Sequence, residues 1–112
     1  MNIMNKNKLA VIISEDKHLC HIAGLIKAAA KKDGDISVSI FITDKGVFLT
    51  QNKEFISIIK ELNDIIENVS VCEHSCKVNG IIFRDEIFNY SSQFENAKII
   101  SELEENGRAL LF

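Results

Sequence analysis

The sequence predicts a three-layer α/β sandwich built on a mostly parallel sheet. Three observations lead there. Apolar runs of strand length recur at Leu9–Ile13, Ile36–Ile42 and Val69–Val71. Between them apolar residues fall at helical spacing, as in Leu19, Ile22, Ala23 and Ile26. The alternation of the two patterns implies parallel pairing through right-handed crossovers, with helices covering both faces of the sheet.

Each element has its own signal. Leu9-Ala-Val-Ile-Ile13 is continuously apolar, as a strand buried on both faces must be. Ser14-Glu15-Asp16 offers a helix start, with acids at the positive end of the dipole. The stripe that follows ends in Lys31-Lys32-Asp33-Gly34, where the lysines suit the negative end and Gly34 can take a left-handed cap. In the second strand Ile36, Val38, Ile40 and Ile42 point one way, and Ser37, Ser39 and Phe41 the other. The serines mark a face that is less completely covered. Thr43-Asp44-Lys45-Gly46 reads as a turn or loop. Phe55, Ile58, Ile59, Leu62 and Ile66 form the clearest helical stripe, with Asn52 as its cap.

Val69-Ser-Val71 is a short third strand, and Glu73–Asn79 makes two turns of helix stopped at Gly80. Ile81–Tyr90 has two readings: Ile81-Ile82-Phe83 is a short strand, or the whole stretch is a loop with apolar anchors. Ser92-Gln-Phe-Glu95 fits a capping box, and its helix runs through Ala97, Ile100 and Leu103 to Asn106-Gly107. Arg108-Ala-Leu-Leu-Phe112 is a final strand.

Composition bounds the function classes. A chain of 112 residues allows one domain and can bury a core without disulfide staples. The expected organisation is a frayed or disordered tail over residues 1–7 and a single domain over 8–112. Sixteen acids against thirteen Lys and Arg leave a net charge of −3, which argues against nucleic-acid binding through a basic patch. No apolar run approaches the ~20 residues of a spanning helix, and the polar start lacks a signal-peptide core. A cytoplasmic setting follows, where thiols stay reduced. The three cysteines cannot all pair within one chain, so at least one is a free thiol.

In open parallel sheets reactive groups lie at the carboxyl ends of strands. Four segments end there: Ser14-Glu15-Asp16, Thr43-Asp44-Lys45-Gly46, Cys72-Glu73-His74-Ser75 and the Tyr90-Ser91-Ser92-Gln93 loop. Only the third carries a thiol at a strand-to-helix junction. Backbone N–H groups at a helix start stabilise a thiolate, which makes Cys72 the candidate nucleophile. The carboxylate of Glu73 opposes this, and a protonated His74 aimed at the sulfur would offset it. The competing reading of Cys72 is a small buried hydrophobe at a strand end. Cys76, four residues on, falls one helical turn further along the same side as a resolving thiol, or is a packing residue. Cys20, between Leu19 and Ile22, is read as core packing.

His18 and His21, with Cys72, Cys76 and His74, number enough for zinc, but their spacing matches no zinc pattern. The histidines are better read as the solvated edge of their helix, and no metal is assigned. No glycine-rich phosphate loop and no G-x-S-x-G elbow occurs, so no cofactor is assigned.

Three segments together resemble the DsrE/DsrF-like family. Ile42-Thr-Asp-Lys-Gly-Val47 resembles its F-x-T-x-x-G-V loop. Val69-Ser-Val-Cys72 through Cys76 to Gly80-Ile81 resembles its strand–cysteine–helix–glycine segment, with the cysteine eight residues before the glycine. Ser91–Ala97, with the terminal Arg108–Phe112 strand, resembles its closing helix and strand. The likeness implies an α/β/α sandwich with a mainly parallel five-stranded sheet, assembled as trimers or hexamers. In the sulfur-relay branch (DsrEFH/TusD-like) the cysteine matching Cys72 carries a persulfide and passes sulfur between partner proteins. Cys72-Glu-His-Ser-Cys76 departs from that branch, which usually has small or apolar residues there. The function implied is a sulfur carrier or sulfurtransferase. The alternatives are a non-catalytic assembly subunit, and a thiol-redox or metal-binding protein using Cys72 and Cys76.

Overall fold

The computed structural model describes residues 8–32, 36–82, 87–91 and 107–112. In chain order these form β1 (Lys8–Ile13), α1 (Leu19–Lys32), β2 (Ser37–Ile42), a 3₁₀ helix (Asp44–Gln51), α2 (Lys53–Glu61), β3 (Ile66–Cys72), α3 (Glu73–Val78), β4 (Asn89–Ser91) and β5 (Gly107–Leu111). The five strands make one sheet in the order β4-β3-β2-β1-β5, and every pairing is parallel. The α/β class and the mainly parallel five-stranded sheet expected from the sequence are present.

Both faces of the central strands are buried, whereas Arg108, Ala109 and Leu111 of β5 are exposed. Leu9, Val11 and Ile13 of β1 and Val38, Ile40 and Ile42 of β2 meet Ile22 and Ile26 of α1 and Phe55 and Ile59 of α2 in one large cluster. Ala10, Ile12, Phe41 and Cys72 are buried together in a separate cluster. Alternate residues of one strand point to opposite faces, so β1 and β2 each feed both clusters, as their patterns predicted. Steps from β1 to β2 and from β2 to β3 run in one direction, and α1 and α2 therefore lie on one face. Ser37 and Ser39 stay half-buried, and Glu67 accepts from their hydroxyls at 3.0 and 3.5 Å.

Several boundaries differ from the sequence expectation, each for a local reason. Ser14 does not start a helix. Its N–H and its hydroxyl both donate to the Phe112 carbonyl, at 2.7 and 3.0 Å, and α1 begins only at Leu19. Asn52 caps α2 as expected, accepting from the Phe55 N–H at 3.0 Å. That helix stops at Glu61, and Ile66, the last member of the apparent stripe, opens β3 instead. Residues 44–51 form a 3₁₀ helix where only a turn was expected. Ile81 and Ile82 are not in a strand, and the fourth strand lies at Asn89–Ser91, where a loop was expected. The tail over 1–7, the Gly34 cap, Phe83, the Ser92–Glu95 capping box and the helix through Ala97, Ile100 and Leu103 fall outside the described residues.

Candidate functional site

The carboxyl ends of β1, β2 and β3 converge on one polar cluster. Gly46 packs so closely on the end of β1 that an added Cβ would stand 2.5 Å from the Ile13 carbonyl oxygen. The Thr43 N–H donates to that same oxygen at 2.9 Å. Just after Thr43, Asp44 adopts φ +48°, the left-handed region that a non-glycine residue enters at a cost of about 1 kcal/mol.

The first turn of α3 holds this strained turn in place. The Ser75 hydroxyl accepts the Asp44 N–H at 2.9 Å and shares a hydrogen bond with the Thr43 hydroxyl at 3.2 Å. Asn79 adds a second tie, its side-chain amide donating to the Ser75 carbonyl at 2.8 Å and to the Asp44 carbonyl at 3.4 Å. Gly80, where the helix was expected to stop, has φ +69° and ends it in a left-handed cap. Reasoning from sequence passed over Ser75 and Asn79. The available signal was a hydroxyl inside the Cys72–Cys76 segment, facing a Thr-Asp turn at the end of the neighbouring strand.

Cys72 closes β3 and is the N-cap of α3. Its backbone is extended (φ −68°, ψ 115°), and its sulfur accepts the Ser75 N–H at 3.4 Å, where a Ser or Asp oxygen would ordinarily cap. The side chain is 1% exposed and packs with Phe41, Ala10 and Ile12. Cys76 is fully buried, but in the large cluster on the other face. The two thiols therefore do not lie along one helical side, as their spacing had suggested. Cys72 still follows the strand, whereas Cys76 follows the helix. All three cysteines are free thiols.

Burial pushes the Cys76 thiol up to about 11, with the nearby Cys72 and Glu73 adding to the effect. His74 is exposed, and Glu73 is half-buried. Cys20 is exposed, which corrects the packing role expected for it. Ile22 and Ile26 define the buried side of α1, and Cys20, two residues before Ile22, is turned about 200° from it. His18 and His21 sit 6.4 Å apart between ring centres, His21 exposed and His18 3.8 Å from Glu15. Among the described residues no three His, Cys, Asp or Glu side chains come together in a metal-binding group.

A hollow of about 230 Å³ opens elsewhere, lined by Ile59, Lys60, Asn63, Glu67 and Ile87 among others. It runs along the first half of β3, from Ile66 to Val69, and ends roughly 10 Å along the strand from Cys72 at 3.3 Å per residue. The chemistry at Cys72 does not share it. No described helix is long and apolar enough to cross a membrane.

No protein-family model matches the chain, and no curated protein matches it. Solved structures do. A protein of unknown function from Methanobacterium thermoautotrophicum aligns with TM-score 0.76 at 13% identity, over 94% of this chain and 98% of its own. The ychN protein from E. coli aligns with TM-score 0.69 at 12% identity, over 96% and 100%. A conserved protein of unknown function from Bacteroides thetaiotaomicron aligns with TM-score 0.69 at 16% identity, over 97% and 100%. At these identities the likeness is one of fold.

Proposed function

We propose that this chain is a DsrE-like protein that carries sulfane sulfur as a persulfide on Cys72. The observation that carries the reading is the junction itself. Cys72 ends a strand at the carboxyl edge of a parallel sheet, and its sulfur accepts a backbone N–H from the first turn of α3. A donor aimed at sulfur favours the thiolate, the form that attacks sulfur–sulfur bonds. The loop, cysteine and terminal-strand resemblances described above add to it.

The exchange balances without an oxidant. The Cys72 thiolate attacks the outer sulfur of a persulfide donor, R–S–SH. A sulfur–sulfur bond forms to Cys72, the donor's breaks, and the donor leaves as its thiolate. An acceptor thiolate then attacks the outer sulfur on Cys72 and releases the Cys72 thiolate. Cys76, held protonated near neutral pH, packs the core in this reading and resolves nothing. His74, being exposed, is placed to meet a donor or acceptor protein. The proposed setting is a reducing cytoplasm, with residues 8–112 as one domain that assembles as a trimer or hexamer.

Intact mass after exposure to a small persulfide donor tests the reading. With the exposed Cys20 replaced by serine, the protein should gain one sulfur atom, and the same protein carrying Cys72→Ala should gain none. A gain that survives Cys72→Ala removes Cys72 from the role.

One observation favours a second reading, in which the chain is an assembly subunit and Cys72 is packing. The thiol is 1% exposed within a single chain, so a donor reaches it only if the site opens. Native mass gives the assembly size, and Cys72 alkylation in the native protein tests access. Alkylation no faster than global unfolding favours the subunit.

A further inference from the structure

We infer that Ser75 is the positioning residue of the Cys72 site: its hydroxyl, held by the Thr43–Asp44 turn, keeps its own N–H directed at the Cys72 sulfur. The inference rests on the reading of Cys72 as the reacting thiol. Two bodies meet at this junction. The Cys72 backbone belongs to the sheet, in register with Ser91 of β4. The N–H that reaches its sulfur belongs to α3, a helix of six residues. A helix that short does not hold its own first turn, so outside contacts must.

The hydroxyl of Ser75 supplies those contacts. It accepts the Asp44 N–H at 2.9 Å and shares a hydrogen bond with Thr43 at 3.2 Å, and Ser75 is buried. The turn it grips is itself anchored, because the Thr43 N–H bonds the end of β1 and Gly46 leaves no room to shift toward it. The chain of contacts therefore runs from β1 through Thr43–Asp44 to the Ser75 hydroxyl. From there it passes through the Ser75 backbone to the sulfur. Removing the hydroxyl leaves the N–H in place chemically but lets it drift from the thiol.

The test separates thiolate stabilisation from access. Iodoacetamide modification of Cys72 is read by peptide mass, and its rate at pH 6.5 is divided by its rate at pH 9.5. A change in access alters both rates and cancels in the ratio. A lost hydrogen bond to the thiolate lowers the ratio. Ser75→Ala should lower it about two- to fourfold, the part of one such bond's roughly fivefold equilibrium weight that a ratio between these two pH values passes on. Ser75→Thr, which keeps a hydroxyl, should restore it to within about twofold of wild type on the same scale. A folded Ser75→Ala with an unchanged ratio overturns the inference. If Ser75→Ala does not fold, Thr43→Val carries the test, since it removes one of the two ties. Its ratio must fall in the same direction, and an unchanged ratio again overturns the inference. Sulfur loading of the wild type is scored separately. A wild type that takes up no sulfur defeats the carrier reading, while the ratio still judges Ser75.

Discussion

On one face of the sheet, isoleucines and valines from β1, β2 and β3 interlock with α1 and α2 in a broad apolar cluster. On the other, Ala10, Ile12 and Phe41 close around Cys72, and β2 presents Ser37 and Ser39 on the same side, ahead of Phe41. Cys76 and Cys72, four residues apart, fall on either side of this division. The large face binds a thiol as packing and suppresses its ionisation. The small face brings a thiol to the end of a strand, beside a polar clamp. Four residues therefore suffice to separate two thiols: Cys72 keeps the strand's alternation into one cluster, and Cys76 follows the helix into the other.

The largest test of this contrast concerns Phe41, the one bulky aromatic of the small cluster among the described residues. Phe41→Ala should cost about 3–5 kcal/mol in chemical denaturation, comparable to losing a large side chain from the main core. A cost below about 1 kcal/mol would mean that the small face is not a packed core and that the contrast is one of exposure. The two cysteines give the next effect. Cys76→Ser puts a hydroxyl among apolar side chains and should destabilise by about 1–3 kcal/mol. Cys72→Ser should cost less, because an oxygen there still accepts the Ser75 N–H and serine is a favoured N-cap. Equal losses would erase the distinction.

The smallest effect is confined to alkaline pH. The Cys76 thiol is raised from 9.0 to about 11 in the fold. Between these values the unfolded chain has released its proton while the folded chain keeps it. Stability contributed by this group is complete below pH 9 and drains away as pH rises toward 11. Stability measured by denaturation should fall less with pH across that window for Cys76→Ala than for wild type.

Much of this architecture is legible from residues alone. Leu9–Ile13 and the alternation through Ile36–Ile42 specify strands and faces, because period-2 and continuous apolar patterns have few other solutions. Asn52 and Gly80 mark helix ends through their side-chain oxygen and left-handed backbone. What escapes has physical causes. Ile66 lies four residues after Leu62, so it matches a helical stripe. No glycine or proline between them announces that the helix has ended. Asn89–Ser91 carries no apolar run and becomes a strand only by pairing with β3. The Cys72 position was readable as a strand-to-helix junction. The Ser75 clamp was not, since it depends on the first turn of α3 and the Thr43–Asp44 turn being brought together by the sheet rather than by sequence proximity. Cys20 misleads for a simpler reason: its apolar neighbours share its sequence window but not its side of the helix.

The bonds from Ser14 to the Phe112 carbonyl join residues 98 positions apart, and β5 lies beside β1 rather than beside β4. A chain that emerges from its N-terminus must therefore hold β1 with one side unpaired until its last described segment arrives. Contacts of such long sequence separation form slowly, and an open strand edge is a template for pairing with other molecules. Completion of the sheet is thus a late event in the life of each newly made chain. Before it, β1 is the strand most exposed to misassembly.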